Sequence, residues 1–422
     1  MVRGLGGRAV TVRHEEFFCG PWLGDEGMAA ARKGGAGPTS TLQALRMSHS
    51  LLFDRRQWLK SSAVVAAGLA LGGKSRLQAQ HETERFSATL GVARISGNEN
   101  PYGPSQGAIM AMLQSADSAC RYAFAESQQL ASMIAAQNGV GADHVVMGNG
   151  SSEVLDDYAT YLSRSGPGEV VTATPGYLKF THAMAAAGST IIAVPTTKAM
   201  VHDLAAMAAK IGPATKCVYI CNPNNPTGTI VPAAELRSAV IEMAKQCPVL
   251  VDEAYLEFSD NFAGNTMAPL VAEGHNVIVA RTFSKLYGMA GMRLGYGLMA
   301  PPVAAEVGKI SPNFLGLLSV NAALASLADD GYAADIRRKV KAERDRLCAT
   351  LVELGRAYAE PQGNFVFLHT GMPVTMFQKK MAGENVEVGR AFPPALDWCR
   401  ISIGLPEEMN LCHAALKKIF AA

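Results

Sequence analysis

Short apolar runs alternate with longer segments of helical spacing from about Glu84 to the C-terminus. The runs are rich in β-branched residues and mostly apolar on both faces, which is typical of strands covered on both sides. Segments such as 233–246 have apolar residues at the spacing of a helix. The predicted strands are 145–147, 169–173, 190–194, 217–221, 249–251 and 277–280. This alternation predicts an α/β fold with a mainly parallel sheet between two layers of helices.

A second, smaller α+β domain is predicted in the C-terminal part. The long helical segment 335–354 precedes two further apolar runs, at 365–368 and 400–403. The predicted limits are 80–118 for an N-terminal segment that packs with the small domain, 119–310 for the large domain and 311–422 for the small domain.

The first 79 residues differ from the rest. Residues 1–46 are rich in glycine and lack apolar periodicity, so we interpret them as an unstructured extension. After Met47, the basic segment 54–60 (DRRQWLK) precedes an uncharged stretch, 61–73, and the small residue Ala79. That order is typical of a secretory signal, and the stretch is too short and too weakly apolar for stable insertion into a membrane.

The paired arginines Arg55 and Arg56, followed by an aromatic residue, Leu and Lys, resemble a twin-arginine signal, which exports folded proteins. The alternative is an amphipathic surface helix with a chance arginine pair. The signal predicts a periplasmic protein, a start of translation at Met47 or Met1, and cleavage after Ala79.

Composition excludes several classes of protein. Of the 422 residues, 49% are hydrophobic and 18% charged, which is typical of a compact globular chain. The formal net charge of +2 gives no basic footprint for nucleic acid. The eight cysteines lack C-x-x-C spacing, and the nine histidines lack the spacing of a metal site or catalytic triad, so no metal is predicted.

Polar residues follow several of the predicted strands, at the sheet edge where doubly wound folds bind ligands. The turn 148–152 (GNGSS) precedes a helical segment, and such a turn either binds a phosphate or only caps the helix. In 222–228 (NPNNPTG), two prolines restrain the backbone around Asn225, as in a binding loop or a tight turn.

Charged residues follow two more of the strands. Asp252 ends one strand, and a buried acid there requires a cationic ligand or a structural salt bridge. Lys285 follows the next strand and is a candidate nucleophile, while Ser284 and Arg293 are candidates for binding an anion.

This ordered set of motifs resembles the fold type I pyridoxal-phosphate aminotransferases. The motifs are NPNNPTG at 222–228, DEAY at 252–255, and Ser284-Lys285 with Arg293 eight residues after the lysine. The segments GNENPYGPS at 97–105 and GNGS at 148–151 resemble the histidinol-phosphate aminotransferase branch. The resemblance covers residues 90–422 and implies a seven-stranded sheet, pyridoxal 5'-phosphate as cofactor, and a homodimer with shared active sites.

The resemblance also implies roles for individual residues. Lys285 would bind the cofactor covalently and move the substrate proton, and Asp252 would face the pyridine nitrogen. The other implied cofactor contacts are Asn225 and Tyr255 to the ring oxygen, Tyr177 stacked on the ring, and Ser151, Ser152, Thr282, Ser284 and Arg293 to the phosphate. Tyr122 would reach the phosphate of the neighbouring subunit, although Ala123 replaces the family's proline.

For the substrate, the resemblance implies that Arg400 binds the α-carboxylate and that Asn364 supports the same end. Arg390 lies near the position of the family's phosphate-binding arginine, but the surrounding residues depart from the pattern. Tyr102, Phe392 and Trp398 are candidates for an aromatic pocket or for ordinary core packing.

The resulting prediction is an aminotransferase that passes an amino group from an amino acid or a histidinol-phosphate-like amine to an oxo acid such as 2-oxoglutarate. Two alternatives remain at this point: a decarboxylase of the threonine-phosphate type, which has the same motifs, and a non-catalytic binding protein of this fold.

Overall fold

A computed structural model describes residues 91–312 and 314–421. The predicted N-terminal extension and signal lie outside these described residues. Its strands are β1 (Ala93–Arg94), β2 (Val145–Gly148), β3 (Glu169–Thr174), β4 (Thr190–Pro195), β5 (Thr215–Cys221), β6 (Val249–Asp252), β7 (Val277–Thr282), β8 (Gly295–Leu298), β9 (Tyr358–Ala359), β10 (Phe365–His369), β11 (Val386–Glu387) and β12 (Trp398–Ser402).

Helices precede and connect these strands. They are α1 (Gln106–Ser115), α2 (Phe124–Asn138), α3 (Ser151–Ser163), α4 (Lys179–Ala186), α5 (Leu204–Ala208), α6 (Ala233–Ala244), α7 (Phe262–Asn265), α8 (Ala268–Ala272), α9 (Pro301–Val307), α10 (Leu317–Leu327), α11 (Asp330–Glu353), α12 (Val374–Gly383) and α13 (Pro406–Ala421). The predicted helical segments 233–246 and 335–354 correspond to α6 and α11.

The largest sheet has seven strands in the order β2-β8-β7-β6-β5-β3-β4. Strands β3 to β7 pair in parallel, and β8 is antiparallel to both of its neighbours. The predicted α/β class with a mainly parallel sheet of seven strands is therefore confirmed.

The apolar runs do not predict β8, because two of its four residues are glycine. A Cβ atom at Gly295 would overlap the backbone nitrogen of Ser151. Glycine is required there so that the start of α3 can approach the sheet.

Both faces of this sheet are covered, as the two-sided apolar runs predict. On β6, Val249 and Val251 pack into one core and Leu250 into the other, because successive side chains point to opposite faces. Residues of α2, α6 and α10 join the first core, and residues of α3, α4 and α9 join the second.

The C-terminal part contains the three-stranded sheet β12-β10-β9, and the two predicted strands of this region correspond to β10 and β12. Strand β1 pairs in parallel with β11, so the chain just after residue 91 joins the C-terminal part. Helices α11, α12 and α13 cover a separate core. The exact domain limits remain a prediction.

The neighbouring strands β5, β6 and β7 end side by side. Cys221 on β5 lies opposite Asp252 on β6, and Asp252 lies opposite Ala280 on β7. The polar residues that follow these strands therefore meet at one edge of the sheet. Within residues 91–421, apart from Asn313, no helix is both long and apolar enough to cross a membrane.

Candidate active site

A cavity of about 400 Å³ lies at this edge of the sheet. It brings together the predicted residues Ser151, Ser152, Tyr177, Asn225, Asp252, Tyr255, Thr282, Ser284, Lys285, Arg293 and Arg400. Gly97, Asn98, Glu99, Ala254 and Ala290 complete the lining. Four other predicted residues, Tyr102, Tyr122, Asn364 and Arg390, are not in the lining.

One end of the cavity is suited to an anion. Gly150 precedes α3 with φ of 87°, and a Cβ atom there would overlap the guanidinium of Arg293. That guanidinium donates from Nη1 to Ser284 Oγ at 3.3 Å and from Nη2 to the Asn149 carbonyl at 3.3 Å. A helix N-terminus beside an arginine provides N–H donors and positive charge for a phosphate-sized group.

The two hydroxyls at this end are held in place by each other. Thr282 Oγ1 donates to Ser284 Oγ at 2.9 Å and accepts from the backbone N–H of Ser284 at 3.1 Å. Both residues are buried. The pair therefore presents fixed polar groups next to Arg293.

Asp252 lies buried at the end of β6, where burial raises its pKa to about 6. Its carboxylate accepts from Tyr219 Oη at 3.0 Å and from the N–H of Ala254 at 3.1 Å. In the part of the chain that the structure describes, no cationic side chain lies within 4.0 Å of it. A buried carboxylate is stable only beside a positive charge, so Asp252 is suited to bind a positively charged group of a ligand.

The salt bridge considered for Asp252 belongs instead to the next residue. Glu253 points to the opposite face and pairs with the buried Arg281, with 2.9 Å between Oε2 and Nε. Adjacent strand residues face opposite sides, so only one of these two acids faces the cavity.

Lys285 is positioned as a nucleophilic amine. Burial, assisted by the charge of Arg400, lowers the pKa of Lys285 to about 8. Its Nζ donates to the Asn98 carbonyl at 2.8 Å and lies 5.4 Å from the centre of the Tyr255 ring. A lysine with a lowered pKa has a substantial neutral fraction near pH 8 and can attack a carbonyl group.

Arg400, Asn225 and Tyr255 form a connected chain along the cavity wall. Arg400 Nη1 donates to Asn225 Oδ1 at 2.7 Å, and Asn225 Nδ2 donates to Tyr255 Oη at 3.1 Å. Arg400 Nη2 donates to the carbonyl of Ser96 at 2.9 Å, while its buried Nε has no hydrogen-bond partner among the residues that the structure describes. Burial raises the pKa of Tyr255 and lowers that of Arg400.

Tyr177 and Asn364 lie at the border of the site. Tyr177 is half-buried in the lining, and its pKa is raised first by burial and then by the charge of Asp252. Asn364 is buried outside the lining and donates from Nδ2 to the Glu99 carbonyl at 3.0 Å. It therefore supports the wall of the cavity from behind.

Three of the predicted residues lie away from the lining. Tyr102 packs against the C-terminal core, with Lys339 Nζ 4.7 Å from its ring centre. Arg390 is exposed and lies 4.3 Å from the ring centre of Phe392, which Arg400 contacts at 4.9 Å. Tyr122 is 66% exposed.

The residues 97–99 contribute to the family resemblance, but the sequence alone predicts no individual role for them. The carbonyl of Asn98 accepts a hydrogen bond from Lys285 Nζ. Any residue type has a backbone carbonyl, so the sequence cannot predict such a contact. Among the described residues, no group of three or more His, Cys, Asp and Glu side chains could hold a metal ion.

Comparison with known proteins adds independent findings. Residues 92–416 match the family model of aminotransferase class I and II. The chain is 34% identical over 345 residues to a histidinol-phosphate aminotransferase of Moorella thermoacetica, covering 81% of this chain and 88% of that protein. It is 38% identical to an aromatic amino acid aminotransferase of Streptomyces avermitilis, covering 75% and 88%.

A solved structure of similar fold is the histidinol-phosphate aminotransferase of Sinorhizobium meliloti in complex with pyridoxal-5'-phosphate. It superposes with a TM-score of 0.69 at 29% identity, and the alignment covers 78% of this chain and 91% of that chain.

Proposed function

The chain belongs to the class I and II aminotransferases and is a pyridoxal-phosphate-dependent transaminase, and we propose its substrates and the roles of its residues. The amino donor is an amino acid or a histidinol-phosphate-like amine, and the acceptor is an oxo acid such as 2-oxoglutarate. The observation that supports this most directly is the buried Arg400 guanidinium in the same cavity as Lys285.

The residues of the cavity fit the cofactor. Asp252 is a buried carboxylate without a cationic partner among the described residues, which suits a protonated pyridine nitrogen. At the other end, the start of α3, Arg293 and the hydroxyls of Thr282 and Ser284 suit a phosphate. We assign the remaining contacts to Asn225 and Tyr255 at the ring oxygen, to Tyr177 at the ring face, and to Ser151 and Ser152 at the phosphate.

When bound, the cofactor supplies an electron sink that stabilises negative charge on the substrate carbon after its proton leaves. Lys285 Nζ takes that proton and returns it, because its lowered pKa of about 8 lets the amine exchange protons near neutral pH. Asp252 keeps the ring nitrogen protonated. Arg400 holds the α-carboxylate with two donors and so fixes the orientation of the substrate.

Aromatic side chains near Arg400 favour a donor with an aromatic side chain. The Phe392 and Phe365 ring centres lie 4.9 Å and 5.7 Å from the Arg400 guanidinium. Trp398 stacks on Phe367 in the same cluster as Phe392. The names of the relatives agree with an imidazole or an aromatic ring as the side chain of the donor.

Arg390 is our candidate for a second anionic group of the substrate, such as a phosphate. Its guanidinium contacts the Phe392 ring, as Arg400 does, but it is exposed to solvent, and its Nη1 donates to the carbonyl of Ala391 at 2.8 Å. Tyr102 and Asn364 take supporting roles behind the cavity wall.

The relatives named above are aminotransferases, which favours amine transfer over decarboxylation. The set of acid, lysine and arginine side chains around one cavity also argues against a purely non-catalytic protein. A half-reaction screen identifies the donor. The holoprotein is mixed with histidinol phosphate, aromatic amino acids or aliphatic amino acids, and formation of pyridoxamine phosphate is followed by absorbance.

The screen has three informative outcomes. Fast conversion with aromatic or imidazole donors and slow conversion with aliphatic ones supports the proposed side chain. Equal rates with all of them would contradict it. Release of carbon dioxide without transfer to an oxo acid would instead support the decarboxylase.

We propose a homodimer in which Tyr122 reaches the neighbouring subunit's active site. Tyr122, Phe124 and Phe314 are exposed by 66%, 63% and 58% and form a cluster with ring centres 4.6–5.7 Å apart. Exposed aromatic clusters are typical of protein interfaces. Light scattering should give the mass of a dimer, and Phe314→Glu should shift it toward the monomer; a wild-type monomer would contradict the proposal.

We also propose export by the twin-arginine route to the periplasm, on the order of basic, apolar and small residues at 54–79. A reporter fused after residue 90 should appear in the periplasm, and the variant Arg55→Lys with Arg56→Lys should retain it in the cytoplasm. Equal export of both fusions would contradict this proposal. Mass spectrometry of the exported protein determines whether cleavage follows Ala79, and of the precursor whether translation starts at Met47.

A further inference from the structure

Ser402 contacts the segment 95–99 at two points, although it is absent from the cavity lining. It is 1% exposed, and its hydroxyl donates to Asn98 Oδ1 at 2.7 Å. Its backbone N–H donates to the carbonyl of Ile95 at 3.0 Å. Ser402 therefore links the segment 95–99 to β12 by two hydrogen bonds.

Asn98 connects Ser402 with the reactive lysine. Its side-chain oxygen accepts from Ser402, and its backbone carbonyl accepts from Lys285 Nζ at 2.8 Å. Two other carbonyls of this segment are also held: Arg400 Nη2 donates to the carbonyl of Ser96, and Asn364 Nδ2 donates to that of Glu99. The peptide that faces Lys285 is thus fixed through side chains of β12 and the residue before β10.

The hydrogen bond to Asn98 restricts the direction of the lysine lone pair. A neutral amine that donates one N–H to a carbonyl must point its lone pair away from that carbonyl. In Lys285 the lone pair then points away from the segment 97–99, and it is the lone pair that attacks a carbonyl carbon.

We propose that Ser402 is a positioning residue for Lys285. Through Asn98 it fixes the carbonyl oxygen that orients Nζ whenever the lysine is not bound to the cofactor. The inference rests on the proposed role of Lys285 and adds to it a residue whose effect is transmitted by a single side-chain hydrogen bond.

The step that this orientation accelerates is capture of the cofactor. The neutral Nζ attacks the aldehyde carbon of pyridoxal phosphate, a carbon–nitrogen double bond replaces the carbon–oxygen double bond, and the oxygen leaves as water with the two amine protons. No further reactant is required. Loss of one orienting hydrogen bond should slow this step about five- to tenfold.

The test mixes cofactor-free protein with pyridoxal phosphate in a stopped-flow instrument and follows the absorbance of the lysine-bound cofactor. Ser402→Ala should lower the saturating rate about five- to tenfold and leave the half-saturating concentration near the wild-type value. Ser326→Ala is the matched control, because Ser326 is 2% exposed and its hydroxyl bonds to the carbonyl of Ala322 and to Met289 Sδ, and not to Asn98 or Lys285. The control should capture the cofactor at the wild-type rate.

A second pair of variants tests the route through Asn98. Asn98→Ala keeps the backbone carbonyl but removes the acceptor of Ser402, so it should slow capture by a similar factor. The double variant Ser402→Ala with Asn98→Ala should capture the cofactor no more slowly than the slower single variant, because both changes break the same hydrogen bond. Asn98→Ala also tests the proposal by itself if Ser402→Ala does not fold.

Three results would overturn the inference: capture by Ser402→Ala at the wild-type rate, slowing no greater than in Ser326→Ala, or additive slowing in the double variant. Failure of the proposed role of Lys285 is distinguishable, because the wild-type protein itself would then form no lysine-bound cofactor.

Discussion

Arg400 Nη1 donates to Asn225 Oδ1 at 2.7 Å, and this bond joins two separate sheets at the cavity. Asn225 follows β5 of the seven-stranded sheet, whereas Arg400 lies on β12 of the three-stranded sheet. The residue proposed for the substrate carboxylate therefore contacts a residue proposed for the cofactor ring. Binding at one of them is expected to adjust the other.

Replacing Arg400 by Gln should raise the KM for donors with an α-carboxylate about 100-fold, because two charge-assisted hydrogen bonds are lost. Steady-state kinetics at saturating acceptor gives the value. Arg164→Gln is the control, since Arg164 is exposed and pairs with Glu306 on the surface. A KM for Arg400→Gln that does not exceed that of the control would refute the assigned role.

Asp252 should make the stability of the cofactor-free protein depend on pH. Its pKa in the folded state is about 6, above the ordinary value of 3.8, because burial disfavours the charged form. Between these two values the folded state holds more protons, so its stability falls as pH rises from about 4 to about 6 and stays lower above that.

Asp252→Asn removes this loss, so the cofactor-free variant should unfold a few degrees above the wild type at pH 8 and near it at pH 4. Thermal unfolding monitored by circular dichroism measures the difference. With the cofactor bound the order should reverse, because the variant lacks the charge that stabilises the protonated ring. Equal melting temperatures of the two cofactor-free proteins at pH 8 would be inconsistent with an uncompensated buried charge.

Gly150→Ala should weaken pyridoxal-phosphate binding at least tenfold, because the new methyl group displaces the Arg293 guanidinium. Gly139→Ala provides a matched control. Gly139 also has a positive φ, 67°, but nothing lies within 4 Å of its Cβ position. Both variants should lose a similar amount of folding stability. Fluorescence titration with the cofactor should give a weaker affinity for Gly150→Ala than for Gly139→Ala. Equal affinities would show that Gly150 serves the turn alone.

The buried pair of Arg281 and Glu253 should contribute to folding and not to chemistry. Arg281→Met leaves Glu253 buried without its cation, which should cost about 3–5 kcal/mol in the free energy of unfolding. Arg237→Met breaks the exposed pair with Glu273 and should cost much less, because water screens that pair. Urea unfolding compares them, and similar losses in both variants would mean that burial does not set the energetics of the pair.

The sequence predicts the strands with continuous apolar runs well, because a strand covered on both faces must be apolar on both. It does not predict β8, where Gly295 and Gly297 are required by close packing and carry no apolar signal. The same limit applies to the site. Motif residues such as Asp252 and Lys285 lie together as the strand ends imply, since parallel strands end at one edge.

Contacts that depend on the backbone or on distant segments are not visible in residue types. The carbonyl of Asn98, which holds Lys285, and the hydroxyl of Ser402, which holds Asn98, are such contacts. The pattern also does not specify which of two adjacent acids pairs with a cation. The register of β6 decides this by turning Asp252 toward the cavity and Glu253 toward Arg281.

The half-reaction of wild type and Lys285→Ala tests the central claim most directly. Each protein is loaded with pyridoxal phosphate and mixed with an amino donor identified by the screen, and the absorbance spectrum is recorded. The wild type should lose the visible band of lysine-bound cofactor as pyridoxamine phosphate forms, and a 2-oxo acid should restore the band. Lys285→Ala should have no such band and no turnover. Retention of full transaminase activity in Lys285→Ala would contradict the assignment of Lys285 as the group that binds the cofactor and moves the substrate proton.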